Sequence, residues 1–174
     1  MVNYKEKLHQ INTFVFDVDG VLTDGTIHIS NDGSLLRNMN IQDGYALKAA
    51  IDLGYKVCII SGGSNEGVKI RLQKLGISAI YLGVPDKVEV LKNYCEEHKI
   101  KMENILYMGD DLPDYLVMQQ VGLPTCPEDS SPEIKKISSY ISHKKGGKGA
   151  VRDVIEQVLK IQNNWMKLYN GSNN

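Results

Sequence analysis

FVFDVDGVLTDG, residues 14–25, sets an apolar run directly before two aspartates, Asp17 and Asp19. The run has the aromatic and β-branched character of a buried strand. A carboxylate at the rim of a dry core costs free energy unless something compensates it. Either these acids cap turns, or they gather around a cation and do chemistry.

Three further β-rich runs follow: YKVCIIS (55–61), SAIYLG (78–83) and NILYMGD (104–110). Segments with helical spacing lie between them, at about 42–53, 65–75 and 86–99. Val68, Leu72 and Leu75, for example, recur at steps of four and three. Strands alternating with helices of this length imply βαβ crossovers and a doubly wound parallel α/β sheet. Beyond the fourth strand the pattern predicts a helix near 112–120, an apolar segment VGLPTC, a small helix near 132–137, a short strand SYIS at 139–142 and a last helix over 149–162. The tail NNWMKLYNGSNN ends in small polar residues and is expected to fray. One piece breaks the alternation. In DGTIHISNDGSLLRNMN, residues 24–40, the NDG turn signal between two apolar arms predicts a projecting β-hairpin.

The chain has 174 residues, enough for a single domain over 1–174. A formal net charge of −1 gives no electrostatic case for nucleic acid or an anionic membrane. No run approaches the roughly 18 apolar residues of a membrane span. The start, MVNYKEKLHQ, does not read as a signal peptide. Cys58, Cys95 and Cys126 are odd in number and far apart, which suggests neither a disulfide framework nor a zinc site. A cytoplasmic setting is the expectation.

In open parallel sheets, ligands bind beyond the carboxyl ends of the strands, where strand order reverses. Asp17 and Asp19 lie just past the first strand, Ser61 at the end of the second, and Asp110 and Asp111 at the end of the fourth. If the first and fourth strands are neighbours, these carboxylates converge. Two unit charges ~4 Å apart repel by about 4 kcal/mol at an effective dielectric of about 20. A domain's whole net stability is about 5–15 kcal/mol. A hard divalent cation reverses that repulsion, and oxygen-only ligands suit Mg²⁺. Taken singly, each acid has an ordinary reading as a turn residue or a helix cap. Their gathering at one rim is what predicts a metal. Magnesium held by carboxylates commonly handles phosphate. Ser61 and Gly62, with backbone N–H groups near a helix start, form a natural anion site. Lys87, opening the next helix, would neutralise phosphate oxygens if it pointed into the crevice.

These motifs resemble, in order and rough spacing, those of the haloacid dehalogenase superfamily. DVDGVLTDG is similar to its first motif, IISGG to its second, Lys87 to its third and MGDDLPD to its fourth. The resemblance implies a Rossmann-like sheet in which Asp17 is the nucleophile and forms an aspartyl-phosphate. Asp19 would act as general acid to the leaving alcohol and then as base for water. Mg²⁺ would be held by Asp17, Asp110 and the Asp19 backbone carbonyl, while Ser61, Gly62 and Lys87 bind the phosphoryl oxygens. GDDLPD leaves open whether Asp111 or Asp114 is the acid behind the metal ligands.

The spacing leaves no room for the cap domain that shields many of these enzymes. The details resemble one capless group, the 3-deoxy-D-manno-octulosonate 8-phosphate (KDO 8-phosphate) phosphatases. The hairpin with its following N-x-x-DG, Arg71 in RLQKLGI, and KKGGKGAVRDV carry the likeness, which runs from about residue 11 to 160. It implies a cytoplasmic homotetramer of lipopolysaccharide biosynthesis, with hairpins packed together and the C-terminal segment, about 143–174, closing a neighbour's site. Asp19, Asn40, Ile41, Gln42, Asp43, Gly44, Lys48 and Arg71 would contact the sugar acid, Arg71 presenting a planar fork to its carboxylate. One departure is Gly63, where many members carry an arginine, so the nine-carbon KDN 9-phosphate stays an alternative substrate. Two readings from other classes are a phospho-aspartate receiver and an inactive interaction subunit. Asp19 argues against the receiver, because an adjacent acid serves to clear the phosphoryl group.

Overall fold

A computed structural model describes residues 4–167. A short helix α1 (Tyr4–Leu8) leads into β1 (Thr13–Phe16), the strand of the opening motif. Then come β2 (His28–Ile29), β3 (Leu35–Leu36), α2 (Ile41–Asp52), β4 (Lys56–Ile60), α3 (Glu66–Lys74), β5 (Ala79–Tyr81) and α4 (Lys87–His98). The second half holds β6 (Ile105–Met108), α5 (Tyr115–Met118), β7 (Leu123–Cys126), α6 (Pro132–Ile137), β8 (Tyr140–Ile141) and α7 (Ala150–Ile161).

The main sheet has the order β5-β4-β1-β6-β7-β8, with every pair parallel. All four residues of β1 are buried, because the strand is central and covered on both faces. Phe14 and Phe16 face one layer, with Leu47, Leu72 and Val154 of α2, α3 and α7. Val15 faces the other, with Leu91, Val117 and Ile134 of α4, α5 and α6. The chain leaves β1 toward β4 on one side and returns to β6 on the other, so the order reverses at β1 and opens a crevice above it.

The hairpin is present. β2 and β3 pair antiparallel, and the turn closes through Gly33 N–H to the Ser30 carbonyl at 2.9 Å. Thr23 and Met39 bridge at its base.

Two segments differ from expectation. The helix expected near 112–120 is a 3₁₀ turn, Leu112–Asp114, followed by the four residues of α5. Pro113 sits in that first turn and supplies no N–H, while Asp114 turns its side chain inward. The apolar segment VGLPTC is a strand, β7. Pro124 obscured it, since proline cannot donate to a ladder. Here it stands opposite Tyr107 and below the two residues that pair with β8, so no ladder donor is missed there.

The C-terminal segment packs on its own chain as far as residue 167. Gly147 N–H donates to the Val21 carbonyl at 2.9 Å, which seats the glycine loop on the turn after β1. α7 lies against α2, and Arg152 stacks over Trp165 at 5.4 Å. Residues 168–174, part of the tail expected to fray, lie outside the described residues. No helix among the described residues is long and apolar enough to cross a membrane.

Candidate active site

β1 ends at Phe16, and the next residue, Asp17, turns its carboxylate back to cap the loop. Its Oδ1 accepts from Val18 N–H at 2.7 Å. β6 runs alongside and delivers Asp110 to the same rim, so the convergence expected from the sequence is realised. Gly20 permits it. Its φ of +83° suits glycine, and a Cβ there would stand 2.0 Å from Asp110 Oδ2.

Lys87 reaches in from the first turn of α4. Its Nζ lies 3.2 Å from Asp17 Oδ2 and 2.7 Å from Asp114 Oδ1. Asp114 is buried and also accepts from Tyr107 Oη at 2.8 Å and Asp110 N–H at 3.2 Å. Asp111 is exposed. The acid behind the rim is therefore Asp114 by position, and Asp111 points to solvent.

The cluster carries more negative than positive charge. Burial, then the Asp114 charge, push the Asp17 carboxyl up to about 6 against the pull of Lys87 and Val18. Burial, then Asp17, Asp114 and Asp111, push Asp110 up to about 8. Burial works against the charge on Lys87, but Asp114 and Asp17 outweigh it and hold the pKa above its ordinary value. Tyr107 is driven well up by burial and the same acids, so its hydroxyl stays a donor. Asp17, Asp110 and Asp114 can each turn one oxygen to within 4.8 Å of the others. Asp17 and Asp110 offer oxygens that suit a hard divalent cation, which would relieve the repulsion, while Asp114 behind them is committed to Lys87 and Tyr107.

Ser61 directly follows β4, buried, with its Oγ accepting from Gly63 N–H at 3.3 Å. Gly62 beside it is exposed. Ser61 stands at the mouth of the crevice with Gly63 beside it. Asp19 faces them, and it has a partner that sequence reasoning missed. Arg37, on the return arm of the hairpin, donates through Nε to Asp19 Oδ1 at 2.7 Å and through Nη2 to Oδ2 at 3.3 Å. Nothing local marks Arg37, because the pair spans 18 residues and exists only once the hairpin folds over the rim.

The residues expected to contact a sugar acid divide. Asn40 caps α2, its Oδ1 accepting from Gln42 N–H at 2.7 Å. Asp43 is buried and accepts from Gly149 N–H at 3.3 Å and Arg152 N–H at 2.8 Å, capping α7 from a distance. Both side chains are thus occupied by helix ends. Ile41 and Gln42 are exposed on the first turn of α2. Gly44 lies against Arg71, where a Cβ would stand 2.8 Å from Nη2. Lys48 is exposed and pairs with Asp52 one turn further along α2, so the structure does not bring it to the carboxylates. Arg71 lines a groove of about 610 Å³ between the hairpin and α3, together with Leu36, Arg37 and Asn65.

Fold and site together define a haloacid dehalogenase-like hydrolase, and the model of that family matches residues 80–155. The chain is 38% identical over 156 residues, 90% of its length and 83% of the relative's, to the 3-deoxy-D-manno-octulosonate 8-phosphate phosphatase KdsC of Salmonella typhi. Its structure is similar to that of the phosphatase of the same name from Moraxella catarrhalis, solved in complex with magnesium ion, phosphate ion and KDO. There the TM-score is 0.93 at 35% identity, covering 99% of both chains. The Yersinia pestis phosphatase gives 0.93 at 33% identity, covering 95% of this chain and 90% of that one. The chain belongs to the family of the 3-deoxy-D-manno-octulosonate 8-phosphate phosphatases.

Proposed function

We propose that the whole chain is one capless catalytic domain that hydrolyses KDO 8-phosphate to KDO and inorganic phosphate. The observation that carries this reading is the buried Asp17 carboxylate at the end of β1, 3.2 Å from Lys87 and sharing a rim with Asp110. The relative solved with magnesium, phosphate and KDO supports the choice of ligands.

An Asp17 oxygen attacks phosphorus as the ester P–O bond breaks, giving an aspartyl-phosphate. Asp19 gives its proton to the departing alkoxide, so the sugar leaves as an alcohol. It then takes a proton from water as that water attacks phosphorus, the Asp17–phosphorus bond breaks, and phosphate departs. Lys87, Ser61 and the Gly62 backbone hold the equatorial oxygens. Asp17, Asp110 and the Asp19 carbonyl would hold Mg²⁺, which supplies charge neutralisation to the phosphoryl group when bound. Asp114 holds Lys87 and the Asp110 backbone in place. Arg71 supports binding of the carboxylate end, with Gln42 and Ile41 at the entrance.

The hairpin exposes Ile29 (75%) and Leu36 (59%), apolar area that supports packing of hairpins into a homotetramer. The three cysteines are free and buried, in keeping with a cytoplasmic enzyme.

Phosphate release with Mg²⁺, compared across KDO 8-phosphate, KDN 9-phosphate and simple sugar phosphates, tests the reading. KDO 8-phosphate is expected to give the highest kcat/KM. A higher value for KDN 9-phosphate moves the assignment to the nine-carbon acid. Stable phosphorylation of Asp17 without phosphate release overturns the phosphatase.

A further inference from the structure

Arg37 is bound on one side only. Its Nε and Nη2 edge grips Asp19. Its Nη1 is buried and has no hydrogen-bond partner, in a side chain only 6% exposed. A buried guanidinium donor without an acceptor is costly, and native sites seldom leave one without a reason. The residue also borders open space. Arg37 lines a gap of about 10 Å³ with Asp19, Ser61, Gly63 and Asn65, and the much larger groove shared with Arg71. The groove lies on the side of Arg71, and the gap on the phosphoryl side with Ser61 and Asp19. Gly63 keeps it open, because a Cβ there would stand 2.9 Å from Asp19 Oδ2 and 3.7 Å from Arg37 Nη2.

We propose that Arg37 is a positioning and specificity residue. One edge of its guanidinium fixes Asp19 over the reacting phosphoryl group, and Nη1 takes an anionic oxygen from the substrate's end remote from the phosphate. The inference rests on the phosphatase reading and deepens it. The hairpin thereby becomes part of the catalytic centre as well as a surface for assembly.

The test is steady-state kinetics of wild type, Arg37→Gln and Arg37→Lys on two esters, KDO 8-phosphate and p-nitrophenyl phosphate, which has no carboxylate. Arg37→Gln is expected to lower kcat on both esters, because Asp19 loses its clamp. It is expected to raise KM about 10–100-fold for KDO 8-phosphate alone, the worth of one charged hydrogen bond. Arg37→Lys, with the charge but without the fork, should recover KM more than kcat. Thermal unfolding of each variant separates these effects from loss of fold. Equal KM changes on both esters, or none on either, overturn the proposal. If wild type hydrolyses neither ester and matches Asp17→Asn, the phosphatase reading itself falls, and Arg37's role with it.

Discussion

The Lys87 ammonium donates to Asp114 at 2.7 Å, and both side chains are almost wholly buried. Breaking a buried pair by removing one partner strands the other charge, at a cost of about 3–5 kcal/mol. Lys87→Met is therefore expected to lose about that much stability in urea titrations without metal. Mg²⁺ should recover part of it, because the cation takes over neutralisation of the stranded acids. A loss under 1 kcal/mol, on the order of a surface pair, would mean that Lys87 is not the counter-charge of the cluster.

Stability should depend on pH through the same acids. The folded pKa values of Asp17 and Asp110, about 6 and about 8, lie above the ordinary 3.8. The folded state therefore holds protons that the unfolded chain has already released. Stability from this source falls as pH rises, from about 4 to 6 for Asp17 and to 8 for Asp110. The slope is at most about 1.4 kcal/mol per pH unit for each proton. Asp110→Asn should flatten the decline in metal-free protein, as should saturating Mg²⁺ in wild type. A wild-type slope that Asp110→Asn leaves unchanged would place the titration elsewhere.

Asp17→Asn is expected to abolish turnover while circular dichroism and Tm stay near wild type. Asp19→Asn should lose on the order of 10²–10⁴ in rate, the usual worth of a positioned acid–base group. Near-native hydrolysis by either variant reverses the role given to that residue.

Asp43 separates a structural role from a binding one. Gly149 opens α7 without a side-chain cap, and Asp43 supplies it across 106 residues of sequence. Asp43→Ala should cost about 1–2 kcal/mol, at the upper end for lost caps. KM for KDO 8-phosphate is expected to stay constant. A raised KM with unchanged stability would return Asp43 to the sugar-binding residues.

The hairpin's exposed Ile29 and Leu36 predict assembly. Sedimentation of Ile29→Asp should shift the protein toward smaller species relative to wild type. If wild type already sediments as a monomer with full activity, the tetramer is excluded.

Much of this protein is determined locally. The apolar runs and the helical spacing between them place the strands and helices, because parallel strands buried on both faces read as unbroken apolar segments. The motif acids appear at strand ends, where the backbone turns. Asp17, Ser61 and Asp110 were therefore legible from their places at strand ends, whereas Lys87, at a helix start, was singled out by the resemblance to the superfamily's third motif. Proline and short pairing hid β7, and α5 is shorter than its pattern.

What only the tertiary structure decided depends on pairs far apart in the chain. Burial chose Asp114 over Asp111, since the inward acid is the one that Tyr107, Lys87 and the Asp110 N–H can satisfy. Folding of the hairpin set Arg37 on Asp19, and packing of α7 on α2 made Asp43 a cap for α7. A sequence shows which side chains can carry charge or donate hydrogen bonds. Which of them leave water together, and so must find one another, is fixed by the packing.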